Sequence, residues 1–211
     1  RPGEVFIADS LDGPWSYHGN IEVDNPDGYD VGRMVNLSVI LRPDGDYMIV
    51  PRSGVVLISK NGILGPYRAM GPSIYPTVEG LPLRDLEDPV LWYSGGLYHV
   101  VVNGWSDRKA WHITSEDGIT SWKLRGLAYD PREDFIRYED GTVNHWFKLE
   151  RPGVLIQDGH VTHVTLSAID VEKDDNRGND RHSSKVIVIP FDGKALDRDL
   201  AIADGRPVPA E

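Results

Sequence analysis

The chain has no cysteine. Disulfides, thiolate metal sites and cysteine nucleophiles are therefore excluded, and the sequence says little about the redox state of its compartment. Basic residues are also few. Only 22 Lys and Arg stand against 33 Asp and Glu, for a formal net charge of −11. A surface that tracks phosphates needs clustered Lys and Arg, so no nucleic-acid partner is expected. No apolar run approaches the roughly 18–20 residues of a membrane-spanning helix, and no membrane partner is expected either. Nor does any segment hold an apolar period of about 3.6 over the ten or so residues that mark a helix. The opening residues Arg1-Pro2-Gly3-Glu4 match neither a signal peptide nor an initiator methionine, so the N-terminus reads as processed, trimmed or incomplete.

What is present is turn and strand. The 211 residues include 22 Gly and 15 Pro, which punctuate short β-branched runs such as Val55-Val56-Leu57-Ile58 and Lys185-Val186-Ile187-Val188-Ile189. One paragraph of sequence recurs. A first hairpin turn appears as Pro43-Asp44-Gly45-Asp46, Ser94-Gly95-Gly96-Leu97 and Gln157-Asp158-Gly159-His160. A last turn appears as Ser10-Leu11-Asp12-Gly13, Ser59-Lys60-Asn61-Gly62 and Ser115-Glu116-Asp117-Gly118, with a weaker copy at Pro190-Phe191-Asp192-Gly193. Strand-rich units at this spacing imply an all-β propeller rather than a β-sandwich with accidental turn spacing. The expected units are a partial blade at 1–20 and full four-stranded blades at about 33–70, 86–125 and 148–193. A polar rim loop is expected over 170–184, and a polar tail over 197–211 that packs outside or frays. The turn aromatics Trp15, Tyr67 and Trp122 are expected to be blade packing.

Eight residues before Asp44, Gly95 and Asp158 stand Asn36, Glu87 and Glu150. In a propeller, equivalent positions form a ring, and the starts of the innermost strands converge on one mouth. Glu87-Asp88-Pro89 and Glu150-Arg151-Pro152 would then place carboxylates together on adjacent blades. Two converging carboxylates are the minimum equipment for glycoside hydrolysis, since one can hold the other's proton by its charge. Acidic residues before proline can also merely cap turns.

Leu86-Glu87-Asp88-Pro89 followed by Lys148-Leu149-Glu150-Arg151-Pro152 resembles the five-bladed propeller glycoside hydrolases of family 43 and the related family 117. The resemblance covers about 5–193, so three full blades and part of another would be in this chain. It implies an inverting glycosidase acting on a plant or algal oligosaccharide or polysaccharide. Glu150 would be the general acid, Asp88 the residue that tunes and orients it, and Asn36 a sugar contact. In these families the general base is an Asp of the first blade, and counting back from Asp88 places it before Arg1, outside this chain. Some family 117 members carry a His immediately before the acid, where this chain has Leu149; His145 is the nearest candidate to stand in. No cofactor is implied, although a divalent cation on the propeller axis fits the resemblance, as does a secreted or periplasmic location. His99, His112 and His163 show no ligand spacing, so no protein-ligated metal is expected.

Arg52 and Asn103 end the second strands of their blades near the same mouth and are candidates for binding hydroxyls or a carboxylate. Trp105 and Trp146 are candidates to stack on a sugar ring, whereas Trp92 reads as core and Arg151 as the partner of a nearby acid. Two other functions fit the pattern: a carbohydrate-binding propeller without turnover, and a sialidase-like propeller. The adjacent Asp117-Gly118 and the lack of an arginine cluster at one repeat position argue against the latter.

Overall fold

A computed structural model describes residues 3–172 and 184–208, and 173–183 of the expected rim loop lie outside the described residues. The described residues are all-β with one α-helix and a single 3₁₀ turn. A two-stranded hairpin, β1 (Glu4–Ile7) with β2 (Ser16–Asn20), comes first. Next is a five-stranded sheet of β4 (Ser38–Leu41), β5 (Tyr47–Val50), β6 (Leu57–Ser59) and β7 (Tyr67–Ala69), with β3 (Val23–Asp24) added parallel to β7. A four-stranded sheet follows: β8 (Leu86–Ser94), β9 (Leu97–Gly104), β10 (Lys109–Ser115) and β11 (Lys123–Tyr129). The last sheet holds β12 (Lys148–Gln157), β13 (His160–Ile169) and β14 (Lys185–Pro190). It has three strands among the described residues where four were expected.

The sheets stack face to face in chain order. Met48, Val50 and Ile58 of the five-stranded sheet meet Leu91, Val100, Val102 and Ile113 of the four-stranded one. On the opposite face of that sheet, Val90, Trp92 and Val101 meet Leu149, Val161 and Leu166. Since β9 is covered on both faces, its residues are buried from end to end, which is why it reads as a continuous apolar run instead of alternating. Tyr67 and Trp122 are buried as expected, but Trp15 is 56% exposed, because its two-stranded hairpin has no sheet covering that face among the described residues.

The C-terminal stretch departs from expectation. It is not an external tail but an α-helix, α1 (Gly193–Ala203). The fourth copy of the last turn is its cap: the Asp192 carboxylate accepts from the Ala195 amide at 2.9 Å, satisfying one of the helix's free donors. The buried face is Gly193, Asp197 and Ala201, small or polar residues with no apolar period to reveal the helix.

Between the last two sheets lies a stack of buried rings. Trp92 lies on His99 at 4.6 Å and on His112 at 5.6 Å, and the histidine nitrogens Nδ1 and Nε2 approach to 3.0 Å. Burial, then the neighbouring His112, pushes His99 down to about 3, and burial with Arg125 pushes His112 down to about 4. Both are therefore neutral in the fold but take up protons in the unfolded chain below about pH 6.5. Stability from this pair is complete above about pH 6.5 and is lost as pH falls toward the folded values. Between pH 7 and 5.5 the loss is expected to be roughly 2–3 kcal/mol. Urea unfolding across this range checks it, and an unchanged midpoint would contradict the prediction.

Candidate active site

The innermost strands β4, β8 and β12 flank one groove, lined at their starts by Leu37, Ser38, Pro89, Pro152 and Gly153. Two of them, β8 and β12, start with the same irregularity, whereas β4 pairs with β5 in unbroken register. On β8, Glu87 pairs with Asn103 and Val90 with Val101, so Asp88 and Pro89 together face Val102. On β12, Glu150 pairs with Ser167 and Gly153 with Thr165, so Arg151 and Pro152 together face Leu166. These are β-bulges, which bend a strand and re-aim its side chains. The residue before each proline is left-handed, with φ of 50° at both Asp88 and Arg151, and Asn36 matches them at 47°. Asn36 is thus the counterpart of Asp88 and Arg151, one residue off the count made from the turns. The hairpin after β4 closes through Arg42–Asp46, whereas the other two close through Gly95-Gly96 and Asp158-Gly159, which shifts the register.

The bulges bring Glu87, Asp88 and Glu150 together, with one oxygen of each inside a 4.8 Å span. Two of these were expected to meet; Glu87 joins them from the same motif. Each carboxylate faces a cation. Arg52 Nη1 is 3.5 Å from Glu87, Arg151 Nε is 3.9 Å from Asp88, and Lys148 Nζ contacts Glu150 directly. Burial, and then the charge of Asp88, pushes Glu87 up against the opposing pull of Arg52. Burial also pushes Asp88 up, Glu150 adding to this and Arg151 opposing it. Glu87 and Asp88 therefore hold their protons to higher pH than isolated carboxylates would.

Three clustered carboxylates are also a donor set for a hard cation. Here the trio does not suit one, because Arg52, Arg151 and Lys148 already balance its charge and would have to be displaced.

Behind the carboxylates runs a cross-strand row in which three of four side chains are polar. Glu87, Asn103, Ala110 and Tyr129 are successive cross-strand partners on β8 to β11. Both amide atoms of Asn103, the Tyr129 hydroxyl and the Trp146 indole nitrogen are buried without a partner among the protein groups. Burial and the charges of Asp88 and Glu150 raise the Tyr129 phenol far above its ordinary value. Buried polar groups are normally satisfied, so several exceptions in one place mark this as an unusual part of the interior.

The remaining candidates divide. Trp105 is 53% exposed, with Lys148 Nζ 5.3 Å from its ring centre, so it stands at the rim beside Glu150. Asn36 is exposed and Arg52 half-exposed at the mouth. Asn103 is fully buried and cannot meet solvent-side hydroxyls at the mouth as expected. Trp146 is only 7% exposed, and its ring is enclosed by the core between the last two sheets, so it offers no face to a sugar. His145 points into solvent and pairs with Asp134 at 3.1 Å, so it does not stand in beside Glu150. Lys148 was missed, although alternation along a strand places residues two apart on one face, here with Glu150.

No family model matches the chain, and no curated protein sequence matches it. Solved structures do match. A xylan β-1,4-xylosidase from Bacillus halodurans C-125 is 14% identical with a TM-score of 0.58, over 90% of this chain and 35% of that one. A GH43 β-xylosidase/α-arabinofuranosidase from a compost microbial metagenome, solved with xylotriose, is 11% identical with a TM-score of 0.56, over 90% and 62%. An α-L-arabinanase mutant from Cellvibrio cellulosa is 13% identical with a TM-score of 0.55, over 90% and 66%. The shared feature at these identities is the fold, and the chain spans between 35% and 66% of these three proteins' lengths.

Proposed function

We propose that this chain forms the acid side of an inverting glycosidase site in a five-bladed propeller, acting on a plant or algal oligosaccharide. The observation that supports it most is the trio Glu87, Asp88 and Glu150, delivered by matching bulges to one groove mouth. Glu150 is the proton donor to the leaving oxygen. It is the most exposed of the three, with 20% of its side chain accessible, against 13% for Glu87 and 7% for Asp88. Asp88 and Glu87 keep a proton within the cluster, and Lys148 orients Glu150. Similarity in fold to a xylosidase and an arabinanase supports the substrate class.

The trio does not supply its own base. Inverting acid and base groups stand about 6.5–9.5 Å apart to admit a water, and these oxygens are closer than that. The base is proposed to be an Asp of a further inner strand of the ring, secreted or periplasmic with the rest. A second reading, sugar binding without turnover, is favoured by the Lys148 contact, which already occupies one oxygen of Glu150.

Incubating the full-length protein with xylo- and arabino-oligosaccharides separates the two. New reducing ends, inverted in anomeric form by NMR, support the enzyme; calorimetric binding with no new ends supports the binder. Trp105 is the rim platform in either case. Trp105→Ala is expected to weaken oligosaccharide binding by about 1–2 kcal/mol, in the range of aromatic contacts and a lost cation–π partner. Unaltered affinity by calorimetry would remove Trp105 from the site.

A further inference from the structure

The charges at this mouth are sorted by depth. The carboxylates are recessed, with 13%, 7% and 20% of the Glu87, Asp88 and Glu150 side chains exposed. Lys148 is recessed too, at 11%. The outermost charges are two guanidiniums, Arg52 at 49% and Arg151 at 70% exposed. A ligand entering the groove meets positive charge first.

These arginines are not held as the structural ones are. Arg125 forms a fork on Asp204, with bonds of 2.8 and 2.5 Å, and Arg132 forms one on Asp130, at 2.8 and 2.7 Å. Arg52 and Arg151 approach their carboxylates only to 3.5 and 3.9 Å, beyond good hydrogen-bond length, so the planar donor edge is left for another acceptor. Arg151 also occupies a position that disfavours it. Its φ of 50° is left-handed, and the matching left-handed positions hold Asn36 and Asp88, the residue types that tolerate this conformation best after glycine. A glycine here would relieve that strain, and the chain carries instead an exposed guanidinium beside Asp88.

We propose, resting on the glycoside reading of this site, that the substrate carries a fixed negative charge on the sugar held against Arg151 and Arg52. That charge is either a uronic-acid carboxylate or a sulfate ester. A forked guanidinium matches the paired oxygens of either group, and the recessed carboxylates remain behind it for the sugar hydroxyls and the glycosidic oxygen. With Glu150 protonated for its acid role, three cations face two remaining anions, and the mouth is positive by one charge before an acidic sugar arrives.

Matched ligand pairs test this by calorimetry on the full-length protein: xylotriose with and without a glucuronic-acid branch, and galactobiose with and without a 6-sulfate. The acidic member of at least one pair is expected to bind about tenfold more tightly than its neutral partner, and which pair responds identifies the group. Arg151→Gly should fold at least as well as the parent by thermal unfolding, and should reduce that preference to about twofold or less. Arg151→Lys keeps the charge without the fork and should retain only part of it. Equal binding within both pairs, or a full preference surviving in Arg151→Gly, overturns the acidic-substrate proposal and leaves the glycoside reading standing. Binding of none of the four sugars overturns both.

Discussion

Glu150→Gln in the full-length protein is expected to lower hydrolysis of an unactivated glycoside by about 10²–10⁴-fold, the usual contribution of a positioned general acid. The amide keeps the shape of the side chain but has no proton to give to the leaving oxygen. Ground-state contacts should survive, so the loss should fall on kcat, with KM little changed. An aryl glycoside whose leaving group departs without protonation should lose far less. That contrast separates a lost acid from a distorted site. Asp88→Asn has a different signature. It removes the negative charge that helps to raise Glu87, so the proton held beside Glu150 is lost at lower pH and the alkaline limb of the pH–rate profile should move to lower pH. Undiminished hydrolysis of an unactivated glycoside by Glu150→Gln would refute the acid assignment.

The parts of this site that were legible in the sequence are those made by local chemistry. Asp158-Gly159 and Gly95-Gly96 announce two-residue turns, and Glu87-Asp88-Pro89 with Glu150-Arg151-Pro152 announces matching strand starts, because a proline there needs no ladder donor. From these the stacked sheets and the meeting of Asp88 with Glu150 follow. Asn36 was misplaced by one residue because the longer Arg42–Asp46 connection breaks the count. His145 and Trp146 are neighbours in sequence, yet one points into solvent and the other into the core, which no period in an irregular segment predicts. The row from Glu87 to Tyr129 exists only through strand register, across residues 42 apart in the chain. Helix α1 was missed for a related reason. Its docking face is built around a single buried carboxylate, and its partners on β8 and β13 lie far away in sequence.

That carboxylate carries the second large prediction, a loss of about 3–5 kcal/mol of stability in Asp197→Ala. Asp197 is 1% exposed. One oxygen accepts from the Ser94 hydroxyl at 2.8 Å and the other from His160 Nδ1 at 2.6 Å. The same Ser94 hydroxyl accepts from Trp92 Nε1 at 3.2 Å, so the contact extends to the buried ring stack. Removing the acceptor takes the carboxylate from the buried Ser94 hydroxyl, which keeps only a long 3.4 Å approach to His99 Nε2, and from the part-buried His160 Nδ1. The site is also close-packed: a Cβ on Gly95 would stand 2.7 Å from Asp197, so the helix sits directly on the β8–β9 turn. Ser94 ends β8 and His160 begins β13, so the carboxylate joins the last two sheets at the end opposite Asp88 and Glu150. Loosening that joint should therefore let β8 and β12 separate, and the proposed activity should fall at temperatures below the unfolding midpoint. Asp197→Asn, which keeps the shape and one acceptor, should lose less than half as much stability. Denaturant unfolding reads the stability difference, and limited proteolysis after β14 reads release of the helix. Parental stability in Asp197→Ala would mean that α1 is an appendage, and that the spacing of Asp88 and Glu150 is set by the apolar core between the sheets alone.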